Sequence, residues 1–416
     1  MLSLSGVPIE TIGDGVIEWM HEHALWTDAP EREVEDVEEA GAAEAPADGQ
    51  GAGLTEGMVP FNSVYPVALN EPMVTGADFP TIRAANEDEV KAGTALPSFV
   101  TELDVMQCRL RQMPSSAYWN NASLTKLILR QNLLPSAEPL CKGSLPSLVH
   151  LDLYDNAIDS IDGIAQAAPA LEYLDVSYNS IRDVSCIASL HKLREVYLIQ
   201  NKLTDLPTGE HRVPAGLRIL ELGANRLRTV DPEAVNHLTE LESLWIGRNK
   251  ISALNDLLLP KCTIVSAQSN RFVVLDILSL NRQFPALQEL YLSNNGINEL
   301  TPDAATIAAT AADVRCTITT LDIGANRLAD CSGIPARQLV ALEELWLNDN
   351  ALDSWRMVDA TLSALPDTLN TLYLERNPLA SDPQYRNRAL AACPSLQQLD
   401  ATPVRRPSLL TQPRQA

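Results

Sequence analysis

The sequence predicts an α/β solenoid: a curved stack of short parallel strands joined by 3₁₀ and short α turns. Three observations lead there. One pattern, L-x-x-L-x-L-x-x-N-x-L/I, recurs from about residue 98 to residue 379. Its strand half sets leucines at period two, so they share one face. Successive copies lie mostly 21 to 25 residues apart. That spacing leaves room for a short turn of helix on the return leg and none for a long one.

The copies are LTKLILRQNLL (124–134), LVHLDLYDNAI (148–158), LEYLDVSYNSI (171–181), LREVYLIQNKL (193–203), LRILELGANRL (217–227) and LESLWIGRNKI (241–251). LQELYLSNNGI (287–297), ITTLDIGANRL (318–328), LEELWLNDNAL (342–352) and LNTLYLERNPL (369–379) continue the series. VTELDVMQCRL (100–110) and CTIVSAQSNRF (262–272) are degenerate, and with them there are twelve. Self-similarity at this period is the leucine-rich-repeat signature. The expected architecture is a leucine-rich-repeat horseshoe with a parallel concave sheet, 3₁₀/α turns on the convex side and a C-terminal cap.

The ladder position falls at Cys108 and then at Asn132, Asn156, Asn179, Asn201, Asn225, Asn249, Asn270, Asn295, Asn326, Asn350 and Asn377. A buried asparagine amide can satisfy backbone groups of neighbouring turns that water no longer reaches. Two steps are longer, 31 residues from Asn295 to Asn326 and 27 from Asn350 to Asn377. The first holds an Ala/Thr-rich stretch, 303–316, expected as a convex insertion. Terminal repeats expose an apolar cross-section and need caps. Residues 380–406 are expected to form the C-terminal one, with Asp382-Pro383 opening a helix, and residues 407–416 a disordered tail. Residues 1–97 read as a largely disordered acidic extension, centred on 30–57, which holds too few large apolar groups to offset its ordering entropy. Residues 58–97, with Phe61, Tyr65 and Phe79, are the part able to drape over the first repeat.

Composition narrows the function. The chain holds 31 basic and 54 acidic residues, net −23, and residues 1–100 alone hold 19 acids and 3 bases. Such a balance argues against nucleic acid or an anionic membrane as partner. Seven cysteines without a CxxC pair suggest reduced thiols and a cytoplasmic or nuclear protein. Neither a secretory signal nor a membrane-spanning run is apparent, so the glycosylation sequon at Asn121 reads as chance. Phosphate-binding loop, nucleophile elbow and HExxH motifs are absent. His21 and His23 lack a third metal ligand. No catalytic residue, metal or cofactor is expected.

The residue between the two strand leucines points into the concave side. Down the twelve copies it is Asp104, Ile128, Asp152, Asp175, Tyr197, Glu221, Trp245, Ser266, Tyr291, Asp322, Trp346 and Tyr373. Five aromatics in twelve, in a chain that is 5% aromatic, mark a protein-binding surface more than ordinary strand propensity. Glu195, Glu289 and Glu344 stand two residues before Tyr197, Tyr291 and Trp346. The other flank contributes Arg130, Tyr154, Asn348 and Glu375. The acids are expected to supply charge complementarity to a basic partner surface.

The blocks LESLWIGRNKI (241–251), WLNDNALDSW (346–355) and especially LYLERNPLASDPQYRNRALAACPSLQQLDATPVRR (372–406) carry a more specific likeness. Over residues 100–406 the sequence resembles the leucine-rich-repeat regulatory subunits of type 1 serine/threonine protein phosphatase. The resemblance implies a non-catalytic subunit, and the chain is expected to be monomeric by itself. Its concave face would hold the phosphatase catalytic subunit, sometimes with an inhibitor protein as third member. Carried over by motif position, the contacts would be Tyr197, Glu221, Trp245, Asp322, Glu344, Trp346 and Tyr373. Tyr291 joins them from the stripe. The N-terminal hundred residues and the 303–316 stretch depart from the family. The alternative is an adaptor of the same fold for a cytoskeletal, axonemal or tubulin-folding partner.

Overall fold

The computed structural model describes residues 2–3, 96–301 and 315–404. The acidic stretch 30–57, residues 58–95, His21 and His23, most of the 303–316 stretch and the tail 407–416 lie outside the described residues.

The strands are β1 (Leu2–Ser3), β2 (Glu102–Asp104), β3 (Lys126–Ile128), β4 (His150–Asp152), β5 (Tyr173–Asp175) and β6 (Glu195–Tyr197). Then come β7 (Ile219–Glu221), β8 (Ser243–Trp245), β9 (Ile264–Ser266), β10 (Val274–Leu275), β11 (Glu289–Tyr291) and β12 (Glu299–Leu300). The series ends with β13 (Thr320–Asp322), β14 (Glu344–Trp346), β15 (Thr371–Tyr373), β16 (Gln398–Leu399) and β17 (Thr402–Pro403). All but β10 and β12 form one sheet in chain order, and every neighbouring pair except β16–β17 is parallel. β10 and β12 pair with each other in a separate two-stranded sheet.

The period-two leucines set the register. Leu103, Leu127, Leu151, Leu174, Val196, Leu220 and Leu244 pair in line, and each is buried to 1% exposure or less. The degenerate copy fits the same mould: Cys262, Val265 and Ala267 are all fully buried. Each such side chain removed from water contributes roughly 2 kcal/mol, and no repeat could bury its own without a neighbour.

Each ladder asparagine ties three turns together. Asn225 accepts the Leu203 N–H at 3.1 Å and donates to the Leu198, Leu222 and Gly223 carbonyls at 2.8, 3.0 and 3.2 Å. Asn132, Asn179, Asn201, Asn249, Asn350 and Asn377 repeat the arrangement. So do Asn156, Asn270, Asn295 and Asn326. The residue just before the ladder position is left-handed in every repeat, with φ between 50° and 60°, and none of these twelve is glycine. Ala224 and Ala325 hold that conformation with no side-chain polar group to favour it.

The convex side carries short elements, as the spacing requires: α1 (Glu138–Cys141), α2 (Ile164–Ala167), α3 (Pro232–Val235), α4 (Ile277–Gln283) and α5 (Trp355–Leu362). Asp231 caps α3, accepting the Glu233 N–H, with Pro232 in the first turn. A fully buried Tyr118–Trp119 pair, edge to face at 5.3 Å, fills the convex side of the first repeat.

Both ends of the sheet are covered. β1 adds to β2 with Leu2 opposite Leu103 and Ser3 opposite Asp104. Leu96 and Val100 are already in the core. Asn121 of the sequon is 3% exposed, donates to the Leu96 and Pro97 carbonyls and accepts the Ser123 and Leu124 N–H groups, so it is a structural asparagine. At the other end, α6 spans Tyr385–Ala392. Asp382 accepts the Gln384 N–H at 2.8 Å, but the α-helix itself begins later than the Asp-Pro pair suggests. Asp400 closes the last repeat by accepting the Leu374 and Glu375 N–H groups and the Tyr385 hydroxyl. β17 then folds back antiparallel on β16, and Pro403 in it lacks the N–H that a further strand would need.

Candidate functional site

The concave face is a ruled surface: one strand per repeat, one residue per strand in each column. In the central column, register places Tyr197 beside Glu221 and Glu221 beside Trp245. It likewise places Tyr291 beside Asp322, Asp322 beside Trp346, and Trp346 beside Tyr373. Trp346 and Tyr373 are in ring contact, 4.9 Å between centroids. The five aromatics are half-buried in the free chain, with one side of each presented to solvent.

Three of them are held by the glutamate two residues earlier. The Tyr197 hydroxyl donates to Glu195 at 3.1 Å and the Tyr291 hydroxyl to Glu289 at 2.7 Å. The Trp346 indole N–H reaches Glu344 at 3.4 Å. Period two puts each pair on the same face of its strand, so E-x-Y or E-x-W fixes the ring's polar tip. Tyr373 is held differently, accepting at its hydroxyl from the Gln398 amide at 2.7 Å. Rings with restricted rotamers lose less entropy on meeting a partner.

The acids of the central column do not behave as expected. Glu221 and Asp322 are each only 3% exposed, covered by the flanking rings. Their carboxylates turn to the backbone. Glu221 accepts the Gly223 N–H at 2.7 Å, and Asp322 accepts the Gly324 N–H at 2.9 Å. Asp152 and Asp175 do the same with Tyr154 and Ser177. A Cβ at Gly223 would stand 2.7 Å from the Glu221 carboxyl, so glycine makes room for it. Glu221 and Asp322 therefore form a buried floor at the level of the rings in the free chain. Glu195, Glu289 and Glu344 are half-buried at the edge of the same rings, within a partner's reach.

Burial moves the floor acids' titration. It pushes Glu221 up to about 8, partly opposed by the Gly223 N–H, and Asp322 up to about 6. Because the folded value lies above the unfolded one, Glu221 is harmless below about pH 4.5 and its penalty grows as pH rises toward 8. Gln at this position keeps the acceptor oxygen and stays neutral. Glu221→Gln is expected to raise stability by on the order of 3 kcal/mol at pH 8.5 and to change nothing near pH 4. Urea melts at the two pH values check this. Parallel pH profiles for both proteins would show that Glu221 is ionised in the fold.

A second cluster lies nearer the N-terminal end. His150 stacks on Tyr173 at 4.0 Å with planes 9° apart, and Tyr173 meets Tyr197 at 5.3 Å. Arg130 lies over the Tyr154 ring at 4.7 Å and pairs with Asp152 at 3.4 Å. Burial, with Lys126 nearby, pulls His150 down to about 4, so it stacks as a neutral ring. Reading the column before the central one would have found His150 and Tyr173. Among the described residues no group of three or more His, Cys, Asp and Glu is arranged to hold a metal ion.

The family models for leucine-rich repeats match residues 146–203 and 286–306. With the fold in view, this decides the class. The chain has the leucine-rich-repeat fold. A Leptospira interrogans leucine-rich-repeat protein superposes on it with a TM-score of 0.53 at 23% identity, covering 75% of this chain and 79% of that one, which speaks to fold alone. Among curated relatives, an Arabidopsis thaliana homologue of a protein phosphatase 1 regulatory inhibitor subunit is 36% identical over 164 residues, 38% of this chain and 48% of the relative. Mouse protein phosphatase 1 regulatory subunit 7 is 52% identical over 54 residues, 13% of this chain and 14% of that protein. Human podocan-like protein 1 is 29% identical over 298 residues, 67% of this chain and 54% of the relative. The matches thus span about half the length of these relatives or less. This leucine-rich-repeat protein is similar to the phosphatase 1 regulatory subunits, as its C-terminal blocks suggest.

Proposed function

We propose that this leucine-rich-repeat protein is a non-catalytic regulatory subunit. It binds the catalytic subunit of a type 1 serine/threonine protein phosphatase on its concave face and controls that enzyme's assembly or activity. The observation that carries the reading is the aromatic column Tyr197, Trp245, Tyr291, Trp346 and Tyr373, three members of which are pinned by a neighbouring glutamate. Rigid half-exposed rings over a buried floor supply hot-spot area, and the reachable glutamates favour a basic partner surface. The names of the relatives supply the partner's class. An inhibitor protein as third member and a monomeric free state go with this reading. So does a cytoplasmic or nuclear location, which suits seven cysteines that are all unpaired.

The test is reconstitution. The purified chain and a purified type 1 catalytic subunit are expected to co-elute on gel filtration as one complex. Hydrolysis of a phosphorylated substrate should follow the catalytic subunit alone. Separate elution at micromolar concentrations removes the partner assignment, and phosphatase activity in the isolated chain removes the non-catalytic one.

A further inference from the structure

One surface is left unused by the concave site. The residue just after the ladder asparagine is Lys202, Arg226, Lys250, Arg271, Gly296 and Arg327 in six successive repeats. Their backbones stack in a continuous ladder: the Arg226 N–H donates to the Leu203 carbonyl, Lys250 to Leu227, Arg271 to Ile251 and Arg327 to Ile297, each at 2.8 Å. Five cations therefore line one rim of the solenoid, about 5 Å apart per repeat. Arg226, Lys250, Arg271 and Arg327 are exposed, and Lys202 is half-buried with its ammonium on the Ser180 hydroxyl. Among the described residues none of the five has an ion-pair partner. The adjoining left-handed column over these repeats, Gln200, Ala224, Arg248, Ser269, Asn294 and Ala325, contains no acid and adds one more base.

An unpaired basic rail stands out in a chain of net charge −23. Some other surface cations meet carboxylates, as in Arg218–Glu242, Lys261–Glu240 and Arg376–Asp349. The same chain holds the complementary charge. Residues 31–39, EREVEDVEE, carry six acids and one base. The segment that contains them is tied at both ends to the first repeat: Ser3 pairs with Asp104, and the Leu96 N–H donates to the Tyr118 carbonyl. The rail starts at the repeat of β6, four strand spacings from β2, or roughly 20 Å. The tethers on both sides of residues 31–39 are long enough to reach it several times over, at roughly 3.3 Å per residue. Tethering also holds the acids at an effective concentration on the order of millimolar.

We infer that the rail of Lys202, Arg226, Lys250, Arg271 and Arg327 is a docking surface for the chain's own acidic segment 31–39. The contact is electrostatic, weak for each pair and dependent on the number of pairs. It is independent of the phosphatase reading.

Zero-length carbodiimide cross-linking of the full chain tests this, because Lys202 and Lys250 report from the rail itself. At low salt, links from these lysines to carboxylates in 31–39 are expected in the monomer band. Their yield should fall at least about fivefold in 0.5 M NaCl and in the Arg226→Glu/Arg271→Glu variant. Both substituted residues are exposed, and a thermal melt of the variant checks that the fold is intact. Four outcomes overturn the inference: no such links, links only in a dimer band, links that persist equally in the variant, or links only to other acids. Full chain binding a single-stranded oligonucleotide through the rail, with no loss of cross-links, would equally show that the acidic segment is not its occupant.

Discussion

Replacing Asn249 by alanine should destabilise the protein by about 3–5 kcal/mol and leave it prone to unfold from the middle. Its amide accepts the Leu227 N–H at 3.0 Å and donates to the Leu222 and Ile246 carbonyls at 3.0 Å and to Gly247 at 3.1 Å. Alanine leaves a donor and several acceptors without that partner, in a place 8% exposed in the wild type. Each buried group that loses its bond costs about 1–3 kcal/mol. The site is flanked by five or more repeats on each side, so neither end can be trimmed to escape the fault. Urea unfolding followed by circular dichroism measures it. A loss below 1 kcal/mol would mean that water enters and takes over the ladder's role.

Trp346→Ala acts on binding and spares the fold. The indole is half-exposed, rests against Tyr373 and is tied only to Glu344. Its removal should weaken association with the phosphatase catalytic subunit by about 30-fold or more, some 2 kcal/mol. The melting temperature should move by only a few degrees. Adding Glu344→Ala should bring the affinity below detection. Asp322→Asn is the informative control. It keeps the acceptor for the Gly324 N–H beneath the rings, so its affinity should stay within about threefold of wild type. Calorimetric titration separates these cases. Undiminished binding by the Trp346→Ala/Glu344→Ala protein would rule out this face as the contact.

Much of the fold is legible in the sequence because its physics is local and repeated. The leucine period names the core face, the asparagine names the turn, and the spacing limits the convex elements. Even the weak copy at Cys262 keeps small apolar groups where the core needs them. The site was legible only along each strand. That Trp346 faces away from Leu345 and Leu347 follows from alternation. That Glu221 is buried does not, because Tyr197 and Trp245, which cover it, lie 24 residues to either side in sequence and one strand away in space. The same cross-strand geometry hid the His150–Tyr173 stack. Tyr118 and Trp119 belong to no repeat position, so the pattern was blind to them. The Leu2–Ser3 strand carries no turn signal or period that would announce its pairing with β2.

The left-handed residue before each ladder position has a mechanical consequence. Every repeat closes through the same unfavourable backbone angle, and eleven of the twelve through the same set of amide bonds, so resistance to bending is shared along the stack. The arc then works as a fixed ruler. From Tyr197 on β6 to Tyr373 on β15 there are seven strand steps, about 34 Å at ~4.8 Å each. A partner must bring features matched to that length, and a fragment spanning half of it would grip half the marks.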